Sequence, residues 1–459
     1  MKPIRFLLFI VAALIVASCH KEPKDVQLQI ATTNPEFKKL EVYSLDKDLL
    51  FEFDSTRIKN VFPLKEAGFF TISSKTTMGY VFLKPEANVQ LGLISEKPNV
   101  LGAMGDQLSE ENNFLNKYNK TFTDINYKGG PYNLYVKEAD SFLIEIKKYN
   151  SPLSELYAKL ESTEDLDESF KKGMMSRIQM DLLRPYVEYP TYYKYSKNVE
   201  PELPSGFYDE MESMDLNDPS HLSFRENLGL ARTWVTKDIN FEDYETVPDY
   251  YAAISKKLDS AFGTSKLNEY YTYQQLAQDV NFGSGFDANQ EKIIAFNNNA
   301  QSEVLKTLLE KNNAPWEALK AGNKAPNFIG QTRDGHKVTL DSLKGKKVYV
   351  DVWATWCGPC IREIPALKQL EKDLEDEPVQ LVSISIDDQK DKEKWDNFIE
   401  EKELGGLQLY TEGAWNSQLV ADYNISGIPR FLIIDENGQI ISANAPRPSD
   451  PKAKEILLE

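Results

Sequence analysis

The feature that most restricts how this chain folds is a pair of cysteines, Cys357 and Cys360, set between a strand-like run and a helix-like run. Upstream, Lys347-Val348-Tyr349-Val350-Asp351-Val352-Trp353 is short, mostly apolar and β-branched, and Lys344-Gly345-Lys346 bounds it. That pattern predicts a buried strand. Downstream, Ile361, Ile364, Leu367, Leu370 and Leu374 recur at helical spacing. Both thiols therefore fall at a helix start, where free N–H groups and the positive end of the helix dipole favour thiolate at Cys357. Thiolate is the species that attacks a disulfide.

Cysteine usage sharpens this. The chain has only 3 cysteines in 459 residues, and the first is expected to serve elsewhere. Lys2 and Arg5 precede an almost wholly apolar run from Phe6 to Ala17, followed by Ser18 and Cys19. The run is short for a membrane span and fits a secretory leader. Val16-Ala17-Ser18-Cys19 resembles a bacterial lipobox, which implies cleavage before Cys19, lipidation of its thiol and attachment to a membrane. No Asp follows Cys19 directly, so the outer membrane is the expected location, with the protein facing the periplasm. That leaves Cys357 and Cys360 as one exposed pair in an oxidising compartment. Such a pair closes unless something keeps reducing it, so it is expected to cycle.

At this length two to four domains are expected. Residues 1–18 read as the leader and 19–25 as a polar tether. Residues 26–108 read as a small antiparallel β-sandwich of short alternating strands, such as Val26 to Ile30, Phe69 to Ile72 and Tyr80 to Leu83. From 109 to 320 the periodicity becomes helical, with segments at Ala139–Lys148, Leu153–Leu160, Phe170–Leu183, Tyr250–Phe262 and Glu303–Leu309. Prolines 185, 190, 201, 204 and 219 predict an irregular stretch over 184–218. Asn281 to Phe286 is Gly-rich without phosphate-loop spacing and reads as a turn. A net charge of -18 argues against nucleic acid and anionic membrane surfaces as partners. Zinc at the cysteine pair needs two further ligands, and His20, His221 and His336 are dispersed. No cofactor is expected.

Residues 321–459 read as the last domain. A strand precedes the cysteine helix, Val379 to Ile386 follows as a buried strand, and Phe431 to Ser442 forms a hairpin around Glu436-Asn437-Gly438. A C-x-x-C pair in this setting reads as an α/β thioredoxin-like fold. Asp351 to Cys360, Glu363 with Pro365, and Gly427-Ile428-Pro429 before a strand resemble the TlpA/ResA branch of thioredoxin-like disulfide reductases. The N-terminal strands similarly resemble the β domain found ahead of bacterial lipoprotein thioredoxins.

The resemblance implies that Cys357 is the exposed nucleophile and Cys360 the resolving thiol. It implies that Pro429 is a cis-proline facing the disulfide, with Ile428 pairing to client backbone. Trp356, Gly358 and Pro359 are the expected contact surface beside the thiols, and Trp353 is expected in the core. Two acids could move the proton of Cys360. Asp351 lies on the central strand, where desolvation raises a carboxyl pKa; Glu363 lies one helical turn beyond Cys360. Arg430 reads either as a contact for client acids or as a solvated strand end. The expected partners are client proteins with disulfides and a membrane thiol-transfer protein that supplies electrons. Two other readings stand beside this reductase: a binding or assembly lipoprotein whose first 320 residues are primary, and a thiol peroxidase-like enzyme.

Overall fold

The computed structural model describes residues 22–31, 39–43, 49–54, 60–73, 78–93, 101–103, 107–127, 130–244 and 246–459. The leader and Cys19 lie outside them. The chain divides into two compact units, residues 1–214 with 220–227, and residues 215–219 with 228–459.

Among the described residues the first unit opens with eight strands: β1 (Lys24–Ala31), β2 (Lys39–Tyr43), β3 (Leu49–Asp54), β4 (Asn60–Leu64), β5 (Gly68–Ser73), β6 (Met78–Leu83), β7 (Asn88–Leu93) and β8 (Leu101–Ala103). They form two four-stranded sheets, ordered β4-β1-β7-β8 and β3-β2-β5-β6. Alternation selects the buried faces: Val26 and Leu28 of β1, and Phe62 and Leu64 of β4, point into one core. The sheets are not wholly antiparallel as the sequence predicted, because β1 and β7 pair parallel. A parallel pair needs a long crossover, and the five strands between them provide it.

Helices α1 (Ser109–Tyr127), α2 (Tyr132–Tyr135), α3 (Ala139–Ser162), α4 (Glu168–Lys197) and α5 (Asp209–Glu212) follow. Asn112 of α1 clamps onto β6: its Oδ1 accepts from Phe82 N at 2.8 Å and its Nδ2 donates to Phe82 O at 3.0 Å. Two sequence expectations fail here. The segments at 139–148 and 153–160 are one helix, α3, running through Pro152, and α4 continues through Pro185 and Pro190 to Lys197. Each interior proline costs about 3 kcal/mol. The offsetting term is aromatic burial: Tyr189 and Tyr193 of α4 pack with Phe142 and Phe207 in a second core.

Helix α6 (Arg225–Val235) leads into the second unit, with α7 (Val247–Phe262), α8 (Lys266–Phe282), α9 (Gln290–Asn299) and α10 (Glu303–Glu317). The rest of that unit is a seven-stranded sheet built from β9 (Ile329–Gln331), β10 (Lys337–Thr339), β11 (Lys347–Trp353), β12 (Val379–Ser385), β13 (Leu407–Tyr410), β14 (Arg430–Ile434) and β15 (Ile440–Ser442). Its order is β10-β9-β13-β12-β11-β14-β15. Helices α11 (Gly358–Asp373), α12 (Lys392–Glu401), α13 (Gln418–Asp422) and α14 (Pro451–Leu458) complete it. The architecture is thus an N-terminal β region, a mainly helical middle and a C-terminal thioredoxin-like β/α domain. Among the described residues no helix is long and apolar enough to cross a membrane.

Candidate active site

Strand β11 sits inside the sheet, parallel to β12 and antiparallel to β14. Its apolar side chains are buried on both faces, as an interior strand requires. It ends at Trp353, which is buried in the core. The chain then turns through Ala354 to Cys357 and enters α11, with Pro359 in the first turn, where its missing N–H costs nothing. Cys357 is the N-cap: its Sγ accepts from Cys360 N at 3.1 Å, and its carbonyl accepts from Ile361 N at 3.0 Å. Cys357 and Cys360 form a disulfide with Cα atoms 5.2 Å apart.

The pair is not exposed, which corrects the sequence expectation: Cys357 is 3% and Cys360 5% accessible. In the oxidised state each sulfur is bonded to the other, and Cys357 Sγ also turns inward to the Cys360 N–H. The neighbouring Trp356 is 50% exposed, and its ring centroid lies 6.3 Å from that of Trp415, itself 42% exposed.

The loop ahead of Cys357 is tied down by a residue that sequence reasoning missed. Asp387, fully buried after β12, accepts from Thr355 N at 2.9 Å, from Thr355 Oγ1 at 2.7 Å and from Ser385 Oγ at 2.7 Å. These three donors fix the turn from which the thiols project. Its position at the carboxyl end of an interior strand was the available signal, since α/β sheets build their sites there.

The other side of the site comes from β14. Arg430 pairs with Val352 across the ladder. Ile428 and Pro429 come immediately before this pair, at the end of β11 from which the loop to Cys357 leaves. The Ile428–Pro429 peptide is cis. Among the described residues, Ile428 makes no backbone hydrogen bond. Arg430 is neither solvated nor available to client acids. It is fully buried, donating to Asn281 O and to Asn444 Oδ1 at 2.8 Å, with its guanidinium 5.2 Å from the Trp316 ring centroid. Burial lowers its pKa to about 10.

The two acids differ in setting. Asp351 faces Ser383 across the β11–β12 ladder. Although the residue keeps some surface, loss of water around its carboxyl raises its pKa to about 7; Glu363 pushes the same way and a hydrogen bond from Ser383 opposes. Glu363 accepts from Ser449 N at 3.2 Å and pairs with Arg447 Nη1 at 3.5 Å. Arg447 and Ser449 gave no sequence signal, because they are more than eighty residues away. The structure therefore brings Asp351, Trp356, Cys357, Gly358, Pro359, Cys360, Glu363, Ile428 and Pro429 to one end of one sheet.

A disulfide held at a helix start in this fold, with a carboxyl raised towards neutrality on the strand that leads into it, defines a thioredoxin-fold thiol-disulfide oxidoreductase. Residues 320–457 match the family model described as Redoxin. The chain is 35% identical over 123 residues to the thioredoxin-like protein YneN of Bacillus subtilis, covering 27% of this chain and 69% of that protein. It is 28% identical over 128 residues to the thiol-disulfide oxidoreductase ResA of Bacillus cereus, covering 28% of this chain and 71% of that one. A crystallised thioredoxin domain of a Bacteroides vulgatus thiol-disulfide oxidoreductase is 26% identical, covering 30% of this chain and 96% of that one at a TM-score of 0.28. Through its C-terminal domain, the chain belongs to the thioredoxin-like redoxin family.

Proposed function

We propose that this protein is a lipid-anchored reductant of client-protein disulfides in the bacterial envelope, held to the outer membrane through Cys19 and facing the periplasm. The observation that carries the redox part is Cys357 Sγ at the N-cap of α11, accepting a backbone N–H at 3.1 Å, because that position stabilises a thiolate. The lipobox-like Val16 to Cys19 supports the location.

In the reduced protein the Cys357 thiolate attacks one sulfur of a client disulfide. The client S–S bond breaks, a Cys357–client disulfide forms, and the released client thiolate takes a proton. Asp351 accepts the proton of Cys360, whose thiolate then attacks Cys357 Sγ. The internal disulfide closes, and the second client sulfur leaves as a thiolate that takes the proton held by Asp351. The client gains two electrons and two protons, one of them from water, and a membrane thiol-transfer protein returns two electrons and one proton, restoring the Cys357 thiolate and the Cys360 thiol. Glu363 shapes the field at Asp351. Ile428 offers its free backbone groups to an extended client segment, and Trp356, Gly358, Pro359 and Pro429 border it.

Equilibration of the full chain with glutathione or dithiothreitol tests the direction of flow. A potential near that of thioredoxin, about -270 mV, supports a reductant, whereas one near the DsbA value of about -120 mV overturns it. Cys357→Ser should abolish reduction of any disulfide, while Cys360→Ser should retain the captured client as a mixed disulfide.

A further inference from the structure

Helix α8 of the middle region ends at Phe282, and the turn after it lies against the start of β14. The joint is built from partly buried hydrogen bonds around two fully buried side chains. Asn444 Nδ2 donates to Gly283 O at 2.8 Å, Arg430 donates to Asn281 O, and Trp316 Nε1 donates to Asn281 Oδ1 at 3.2 Å. Trp316 and Arg430 are among the largest fully buried side chains. The position of Phe282 is therefore fixed without help from its own ring.

That ring sits on Gly427. A Cβ at Gly427 would lie 2.8 Å from Phe282 Cε1, so a larger residue there would push the ring aside. Yet Phe282 remains 44% exposed. A Phe that packing does not require to be there, left this open, presents apolar surface beside Ile428. Ile428 is the residue with free backbone groups next to the disulfide loop. Trp356 and Trp415 are the corresponding exposed aromatics of the loops that carry and flank the cysteines.

Resting on the reductase reading above, we propose that Phe282 is a specificity-determining contact lent by the helical region to the redox domain. It receives an apolar side chain next to the disulfide cysteine of a polypeptide client laid along Ile428. The geometry argues against a plug, since a ring blocking the site would be covered by it.

The test uses the pre-reduced full chain, wild type, Phe282→Ala and Phe282→Leu, and three probes. These are 5,5′-dithiobis(2-nitrobenzoate), a quenched-fluorophore peptide disulfide with Leu flanking the cysteine, and the same peptide with Ser there. For Phe282→Ala the second-order rate constant should fall about 5- to 20-fold with the Leu peptide. It should be unchanged with the other two probes, and Phe282→Leu should recover most of the loss. An equal loss on all three probes makes Phe282 a mere support for the loop, an equal gain makes it a plug, and no change makes it inert; each overturns the proposal. If the wild type reduces none of the three, the reductase reading itself falls, whatever the variants do.

Discussion

Arg177 in the first unit and Asp351 in the second are both charges taken out of water, and their surroundings are opposite. Arg177 Nε donates to Tyr118 OH at 2.8 Å and to Asp181 Oδ2 at 2.9 Å, while Nη1 pairs with Glu226 Oε2 at 2.6 Å. Tyr80 OH adds hydrogen bonds to Glu226 at 3.0 Å. Burial works against its charge, but Asp181, Tyr118 and Glu226 hold its pKa well above the usual value. Burial likewise works to raise Glu226, and Arg177 with the hydrogen bonds pulls it below the ordinary carboxylate range. Around Asp351 the balance reverses: burial and Glu363 both disfavour its charge, and only Ser383 opposes them. Where charge is matched, the group stays ionised and serves as a joint between β6, α1, α4 and α6. Where it is unmatched, the group titrates near neutral pH and is fit to move a proton.

The largest break of this contrast is Arg177→Met. It strips the partly exposed Glu226 of its cation and leaves the buried Asp181 with only the Arg184 cation, at 3.7 Å, and should cost about 3 kcal/mol in urea denaturation. The folded, reduced variant should still attack a small disulfide at the wild-type rate. A redox defect in the folded variant would mean that the matched cluster is not merely a joint.

Asp351→Asn should act in the other direction. A carboxyl raised from 3.8 unfolded to about 7 folded binds its proton more tightly in the native state. The native state therefore loses stability as pH rises from about 4 to about 7, and the whole penalty is present above that. Removing the charge should restore up to about 4 kcal/mol at pH 8 and little at pH 4, read as a flattened dependence of Tm on pH. Release of a trapped client by Cys360 should slow by about a hundredfold, the scale of lost general base catalysis. Higher stability with undiminished turnover would assign the proton to Glu363 instead.

How far the sequence could anticipate these two regions follows from the range of the forces involved. Strand β11, the Cys-Gly-Pro-Cys turn and the hairpin at Glu436 to Gly438 are written locally, in apolar runs and turn residues, and the sheet forms where they indicate. Helix α8 escaped notice because its buried face includes Gln275 and Asp279, which erase the apolar period. The prolines of α4 read as breaks because the opposing term, packing of Tyr189 and Tyr193 on Phe142 and Phe207, joins segments far apart in sequence. Asp387 lies next to Asp388 at a strand end, which reads as a solvated turn until Thr355 is placed against it. Likewise, nothing near Glu363 announces Arg447, and nothing near Gly427 announces Phe282.

The finest test of the contrast is Arg447→Gln, which makes the unmatched site more unmatched. Arg447 is partly exposed and its contact to Glu363 is long at 3.5 Å, so the stability change should stay below about 1 kcal/mol. Its effect on titration is separable from stability. Glu363 keeps the Ser449 N–H but loses its cation, so the net field of the pair at Asp351 becomes more negative. The carboxyl of Asp351 should then hold its proton to higher pH, and the midpoint of the pH–rate profile for client release should move up by a fraction of a unit, on the order of what one partly screened charge produces. Glu363→Gln should move the midpoint down, and the double variant should fall between the two single variants, because the charges of Arg447 and Glu363 act on Asp351 in opposite senses. A midpoint unmoved by Arg447→Gln would show that solvent screens this cation from Asp351 and that Glu363 alone sets the field there.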